Sequence, residues 1–125
     1  MALNEQITSK KIFNAEAIVD AATASVIIDL TSLGHVPKWD LQITGKVVQV
    51  AAGDRDLKVE FFSSPNGADW SATADQTIAD WAASPGDTDN FYVVSLSNVK
   101  KQQFLKVLLT GNAGVNAAVT MWLTY

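Results

Sequence analysis

The sequence predicts an all-β domain: an antiparallel β-sandwich, the jelly roll being one form of it, with an N-terminal arm. Three observations carry this. Short β-branched and aromatic runs recur along the chain with the period-two alternation of half-buried strands. Turns rich in Gly, Pro, Asn and Asp separate them. No stretch carries the sustained 3.6-residue periodicity of a long helix.

Residues 1–24 read as an arm or an irregular edge strand, and residues 25–125 as the sandwich. In the first segment Ile12 and Phe13, then Ile18 and Val19, are separated by Asn14, Ala15, Glu16 and Ala17 without a clear period. Such apolar side chains are costly to leave in water, at about 1.5–3 kcal/mol each for the larger ones. Ile12, Phe13, Ile18 and Val19 are therefore the candidate partner contacts: an arm loose alone and ordered against a neighbour would cover them.

From Ser25 the strands come at intervals. Val26 to Thr31 is a β-branched run, closed by Thr31-Ser32-Leu33-Gly34 and Pro37. Trp39 to Thr44 places Trp39, Leu41 and Ile43 on one face, and Gly45 marks a bulge or bend before Val47 to Val50. After the turn Ala52-Gly53-Asp54, Leu57, Val59 and Phe61 alternate with Lys58, Glu60 and Phe62. Ser63-Ser64-Pro65-Asn66-Gly67 closes that strand, with Asn66 or Gly67 suited to positive φ, and Trp70 sits just past the turn. Thr77-Ile78-Ala79 is a short strand with Trp81 as an anchor, and Ser84-Pro85-Gly86-Asp87 is a loop. Phe91 to Leu96 and Phe104 to Thr110 are strands, the second with Leu105, Val107 and Leu109 on one face. Gly111-Asn112-Ala113-Gly114 reads as a hairpin connection, and Val115 to Tyr125 closes the chain with Val119, Met121 and Leu123 aligned. The predicted core is Ile28, Leu41, Ile43, Val59, Phe61, Val93, Leu105, Val107 and Val119.

Composition narrows the function. Hydrophobic residues make up 48% of the 125, which excludes a disordered tail. Charged residues are 18%, below the usual ~25% for globular proteins. Ala, Ser, Thr and Asn fill the remaining surface, which suits packing on protein better than steering ions. Net charge is −4, and the only adjacent basic pairs are Lys10-Lys11 and Lys100-Lys101. Neither has the density of a phosphate track, so a nucleic-acid partner is not expected. There is no cysteine, which excludes disulfides, thiolate catalysis and zinc–thiolate sites within these residues. The opening residues MALNEQITSKK lack an apolar signal core, and no apolar run reaches membrane-spanning length. The expectation is a chain made and first folded in a host cytoplasm, with no encoded export route and no membrane partner.

Candidate chemistry is sparse. His35 is the only histidine and lies in a loop beside no serine motif. Asp54 with Asp56, and Asp87 with Asp89, are carboxylate pairs in loops, where turn chemistry explains them. They also have the oxygen donors calcium takes, without the spacing of an EF-hand loop. Gly111-Asn112-Ala113-Gly114 lacks the lysine and helix of a phosphate loop. No catalytic residue, cofactor or metal is assigned. Trp39, Trp70, Trp81 and Trp122 serve either as sandwich anchors or as sugar-stacking rings. Trp70 and Trp81, in the least regular region, are the candidate stacking pair.

The order ASVIIDL, WDLQITG, LKVEFFSSPNGADW, FYVVSLSNVKKQQFLKVLLTG and VNAAVTMWLTY resembles small β-sandwich structural proteins of tailed-bacteriophage virions, head decoration proteins among them. The resemblance spans roughly residues 25–125 as a pattern and carries no catalytic residues. It implies a non-enzymatic virion structural protein, a capsid decoration or cement protein, with capsid or other virion protein as partner and a second copy of the chain as a further candidate. The alternative is a carbohydrate-binding module using exposed tryptophans; a third reading is a hydrolase of unrecognised type.

Overall fold

The structure, a computed structural model, describes residues 8–33, 41–50, 56–81 and 90–125. Eight strands form two antiparallel four-stranded sheets. They are β1 (Ser9–Val19), β2 (Thr23–Asp29), β3 (Gln42–Gln49), β4 (Leu57–Ser64), β5 (Gln76–Trp81), β6 (Asn90–Ser95), β7 (Phe104–Gly111) and β8 (Asn116–Thr124), with one short 3-10 turn at Leu30–Leu33. The first sheet runs β1-β8-β3-β6 and the second β2-β7-β4-β5. The predicted β-sandwich is the observed architecture.

The topology has a simple logic. β1 pairs with β8, β2 with β7, β3 with β6 and β4 with β5. The chain is thus one long antiparallel ribbon whose tip is the β4–β5 turn, rolled so that its successive layers become two sheets. Only β4 and β5 are sequential neighbours within a sheet; every other connection crosses between sheets. The residues from Gly111 to Gly114 are therefore not a hairpin, as their composition had suggested. They carry the chain from β7 in one sheet to β8 in the other.

The core is what the alternation requires. Leu57, Val59 and Phe61 of β4, Leu105, Val107 and Leu109 of β7, and Ala117, Val119, Met121 and Leu123 of β8 are all buried between the sheets. Of the expected core, Ile28, Leu41, Ile43, Val59, Phe61, Leu105, Val107 and Val119 are inside, and Val93 is not. Val93 is 63% exposed. It pairs with Thr44 on the outer side of the first sheet, while Leu96, three residues on, turns inward. A run of apolar residues along β6 hid which phase of the alternation faced the core.

Gly45 is not a bulge. β3 keeps an unbroken register with β8 from Gln42 to Gln49. Gly45 points inward, and a Cβ placed there would lie 2.4 Å from Cζ2 of Trp81. The missing side chain is a notch in one sheet for the indole at the end of β5 in the other. At the same end of the second sheet, where Leu57 lies between Trp81 and Gly111, a Cβ on Gly111 would lie 2.3 Å from the carbonyl oxygen of Asp20, so the β1–β2 turn rests directly on the end of β7.

Of the two readings of residues 1–24, an arm or an irregular edge strand, the described residues fit the edge strand. Ser9–Val19 is an edge strand of the first sheet, and the division at residue 24 falls inside β2. The pairing of β1 with β8 slips twice, between Lys11 and Phe13 and between Phe13 and Glu16. Ala15, inside the second slip, has φ 50, and its N–H donates to Thr120 Oγ1 at 3.1 Å. The second slip brings both Phe13 and Ile18 into the core although they stand five positions apart.

Candidate protein-interaction surface

The sequence-derived candidates part company in the structure. Phe13 and Ile18 are interior, buried in the same core as β4 and β7, so they are corrected from partner contacts to core residues. Ile12 is half-buried against that core. Val19, at the end of β1, is 50% exposed and alone of the four presents a large apolar side chain to the surface. Trp81 is 1% exposed, filling the space left by Gly45, so Trp70 and Trp81 form no stacking pair. Its burial follows from the register shift between β4 and β5, which turns Trp81 as well as Ile78, three positions earlier, toward the core, where the indole meets the notch at Gly45. His35, Trp39, Asp54, Asp87 and Asp89 lie outside the described residues. Asp56 is described, and its Oδ2 accepts from Asn112 Nδ2 at 3.0 Å, which ties the start of β4 to the β7–β8 turn. Among the described residues no group of three or more His, Cys, Asp or Glu side chains is arranged to hold a metal ion.

The Ser64–Trp70 turn is built around Asn66. Its Oδ1 accepts from Ala68 N and Asp69 N, each at 2.9 Å, while its Nδ2 donates to Asp69 Oδ2 at 2.8 Å. Ser64 Oγ accepts from Gly67 N at 2.8 Å, and Gly67 takes φ 77, the left-handed conformation that glycine adopts without strain. The turn folds back so that Trp70 lies over the outer face of the second sheet. There Lys106 Nζ sits 4.7 Å from the Phe62 ring centre and 4.8 Å from the Trp70 ring centre. An ammonium between two ring faces contributes about 0.5–1 kcal/mol per ring at an exposed site. Trp70 is thus engaged by the protein itself. A second tie holds the β4–β5 connection to the segment before β7: Asp75 Oδ2 accepts from Ser63 Oγ at 2.5 Å and from Lys100 N at 3.1 Å.

What remains outward mixes apolar side chains with the charged Lys46, Lys58, Glu60 and Lys106. On the second sheet Ile27, 53% exposed, lies across from Lys106 in register, with Phe62, Leu108 and Ser25 around it. On the first sheet Thr44 sits between Val93 and Trp122, and Lys11 Nζ lies 5.8 Å from the Trp122 ring centre. Sequence reasoning missed Ile27 and Val93 as surface residues. The signal was present in the alternation: in VIID, burying Ile28 turns Ile27 out.

No protein-family model matches the chain, and no curated protein matches it. A solved structure described as "Bacillus endospore appendages form a novel family of disulfide-linked pili" is similar at 19% identity, over 100% of this chain and 94% of that one, with a TM-score of 0.44. Nothing about assembly transfers to this chain at that level of likeness, and these 125 residues hold no cysteine to form such a link.

Proposed function

We propose that this chain is a non-enzymatic structural protein of a virion, a decoration or cement protein that packs on a capsid shell after synthesis in a host cytoplasm, and that its rolled ribbon is a jelly roll. The strand order supports the last point: the pairs β1–β8, β2–β7, β3–β6 and β4–β5 are those of a ribbon wound into two sheets. The observation that carries the functional reading is the outward surface of the sheets. Val93, Val48 and Trp122 on one side, and Ile27, Phe62 and Leu108 on the other, are apolar at outward positions that an isolated sandwich fills with polar and charged residues. A protein that spends its life packed on other protein has reason to keep such positions apolar.

The test is mass spectrometry of density-purified particles from cultures producing this chain, followed by co-sedimentation of the purified protein with particles lacking it. Stoichiometric presence in particles, and rebinding weakened by Val93→Glu or Ile27→Glu without loss of folding, are the expected results. A protein absent from particles and unable to rebind them overturns the reading.

A further inference from the structure

The two edge strands on one side of the sandwich differ in a way that points to a partner. β1 is shielded: two bulges interrupt it, Lys10 and Lys11 stand at one end, and Glu16 lies opposite the inward-facing Val119. Bulges and charges of this kind keep an edge from pairing with another chain. β2 has no such device. It holds an unbroken register with β7 from Thr23 to Asp29 and carries no charge, proline or glycine before Asp29.

The direction of its free backbone groups follows from the bonds at its two ends. Gly111 N donates to Ala22 O at 3.0 Å, and Leu30 N donates to Gln103 O at 2.8 Å. In an antiparallel pair the bonded residues alternate. Residues 22, 24, 26, 28 and 30 therefore face β7, and the N–H and C=O groups of Thr23, Ser25, Ile27 and Asp29 face away. The carbonyl of Asp29 already accepts from Ser32 Oγ at 2.6 Å. The open row is thus Thr23, Ser25 and Ile27, centred on Ser25. Among the described residues no strand lies against it.

We infer that this row is a homodimer interface, in which β2 pairs antiparallel with β2 of a second copy about a two-fold axis at Ser25. A row of alternating N–H and C=O groups is matched only by another extended backbone, and this strand matches itself. Ser25 lies across from Ser25 of the second copy, and Thr23 from Ile27, which uses every open donor and acceptor in the row. Ala24 lies across from Val26 on the inner side, where both are already half-buried against the core, so the two cores join. The residues at the axis are small, and the two Asp29 carboxylates fall at opposite ends of the paired segment. The second sheets of the two copies then form one continuous sheet. This interface is independent of the particle-binding reading, because it engages an edge and leaves both outer faces free.

The test is sedimentation equilibrium of the full chain and of Ser25→Pro, with melting followed for each. The Ser25 N–H points away from β7, so proline there removes a donor of the row and none of the β2–β7 ladder. The expected result is a dimer for the parent chain and at least about a tenfold weaker dimer for Ser25→Pro, with the fold retained. Because the chain has no cysteine, a nitroxide on Ser25→Cys gives a second readout that does not depend on the proline variant folding. Two labels facing each other across the axis broaden the spectrum, and dilution with unlabelled chain removes the broadening. A monomeric parent, a dimer indifferent to Ser25→Pro while that variant is folded, or an unbroadened spectrum in the dimer overturns the inference; binding of β2 to a foreign strand alone, without self-association, does so too.

Discussion

β4 and β1 bury side chains in the same core, yet only one of them can be read from the sequence. β4 sits between β7 and β5, paired on both sides, and its residues alternate strictly: Leu57, Val59 and Phe61 inward, Lys58, Glu60 and Phe62 outward. β1 is an edge strand of 11 residues with one neighbour, and of its two slips in register the one between Phe13 and Glu16 changes the phase of the alternation between Phe13 and Ile18. The one slip beside β4, in its pairing with β5, places the extra residue on β5; a period-two pattern survives in the strand that carries no extra residue. The difference teaches that an aperiodic apolar segment at a chain terminus is as compatible with a bulged strand as with a detached arm. Burial, not periodicity, distinguishes the two.

The hardest test of that comparison is to remove β1. Deleting residues 1–19 takes Phe13 and Ile18 out of the core and strips the outer neighbour from β8. Losing two such side chains costs on the order of 5–10 kcal/mol, against a total stability of about 5–15 kcal/mol for a domain. The truncated chain is expected to lose its cooperative melting transition by circular dichroism. A truncated chain that melts like the parent would return β1 to the status of an arm.

Single substitutions grade the same point. Phe61→Ala, at a fully buried position on a doubly paired strand, is expected to cost ~3–5 kcal/mol in urea unfolding. Phe13→Ala is expected near the lower end of that range, because an edge strand collapses around a lost ring more readily. A cost near zero at Phe13 would mean that the bulged strand does not bury its ring in solution.

Two glycine exchanges sharpen the contrast further. Gly45 lies in the unbroken β3 and Ala15 in the interrupted β1, the reverse of what residue type suggests. Gly45→Ala drives a methyl group toward the Trp81 indole and is expected to destabilise by ~1–3 kcal/mol. Ala15→Gly relieves a left-handed conformation at φ 50, worth about 1–2 kcal/mol, and adds a similar amount of unfolded-chain freedom. The expected net change there is under about 1 kcal/mol. Equal losses at both sites would show that Gly45 serves the backbone and not the indole.

These residues also mark how far the sequence could be read. The sandwich, the inward phases of β4, β7 and β8, and the turn at Asn66-Gly67 follow from alternation and turn chemistry alone. The rest depended on contacts between residues distant in the chain. Trp81 is buried because Gly45, thirty-six positions earlier, leaves room for it. Phe13 and Ile18 share a face because β1 carries one extra residue between them opposite β8. In β6, Val93 and Val94 are equally apolar, so no periodicity chose between them, and partners in β3 decided. The outward candidates Ile27 and Val93 were legible only once the inward phase was known.

The smallest expected effect lies at the far end of β2, where order depends on a titratable group and not on packing. Asp29 Oδ1 accepts from Thr31 Oγ1 at 2.6 Å, from Thr31 N at 3.0 Å and, more weakly, from Gln103 Nε2 at 3.5 Å. The Thr31 hydroxyl is the main cause that holds this carboxyl below its ordinary value, and partial desolvation opposes it. A carboxyl lowered by folding contributes stability that is fully present above its unfolded value, near pH 4, and is lost as the pH falls through the folded value. Asp29→Asn keeps one acceptor oxygen and cannot lose a charge. Its melting temperature is therefore expected to lie slightly below that of the parent at pH 7, and the gap is expected to close as the pH falls below about 4. Ala15→Gly exchanges no titratable group, so it should show the same difference from the parent at both pH values. A gap for Asp29→Asn that stays constant from pH 7 to about pH 3 would show that the carboxylate acts at the end of β2 only as a hydrogen-bond acceptor of fixed strength.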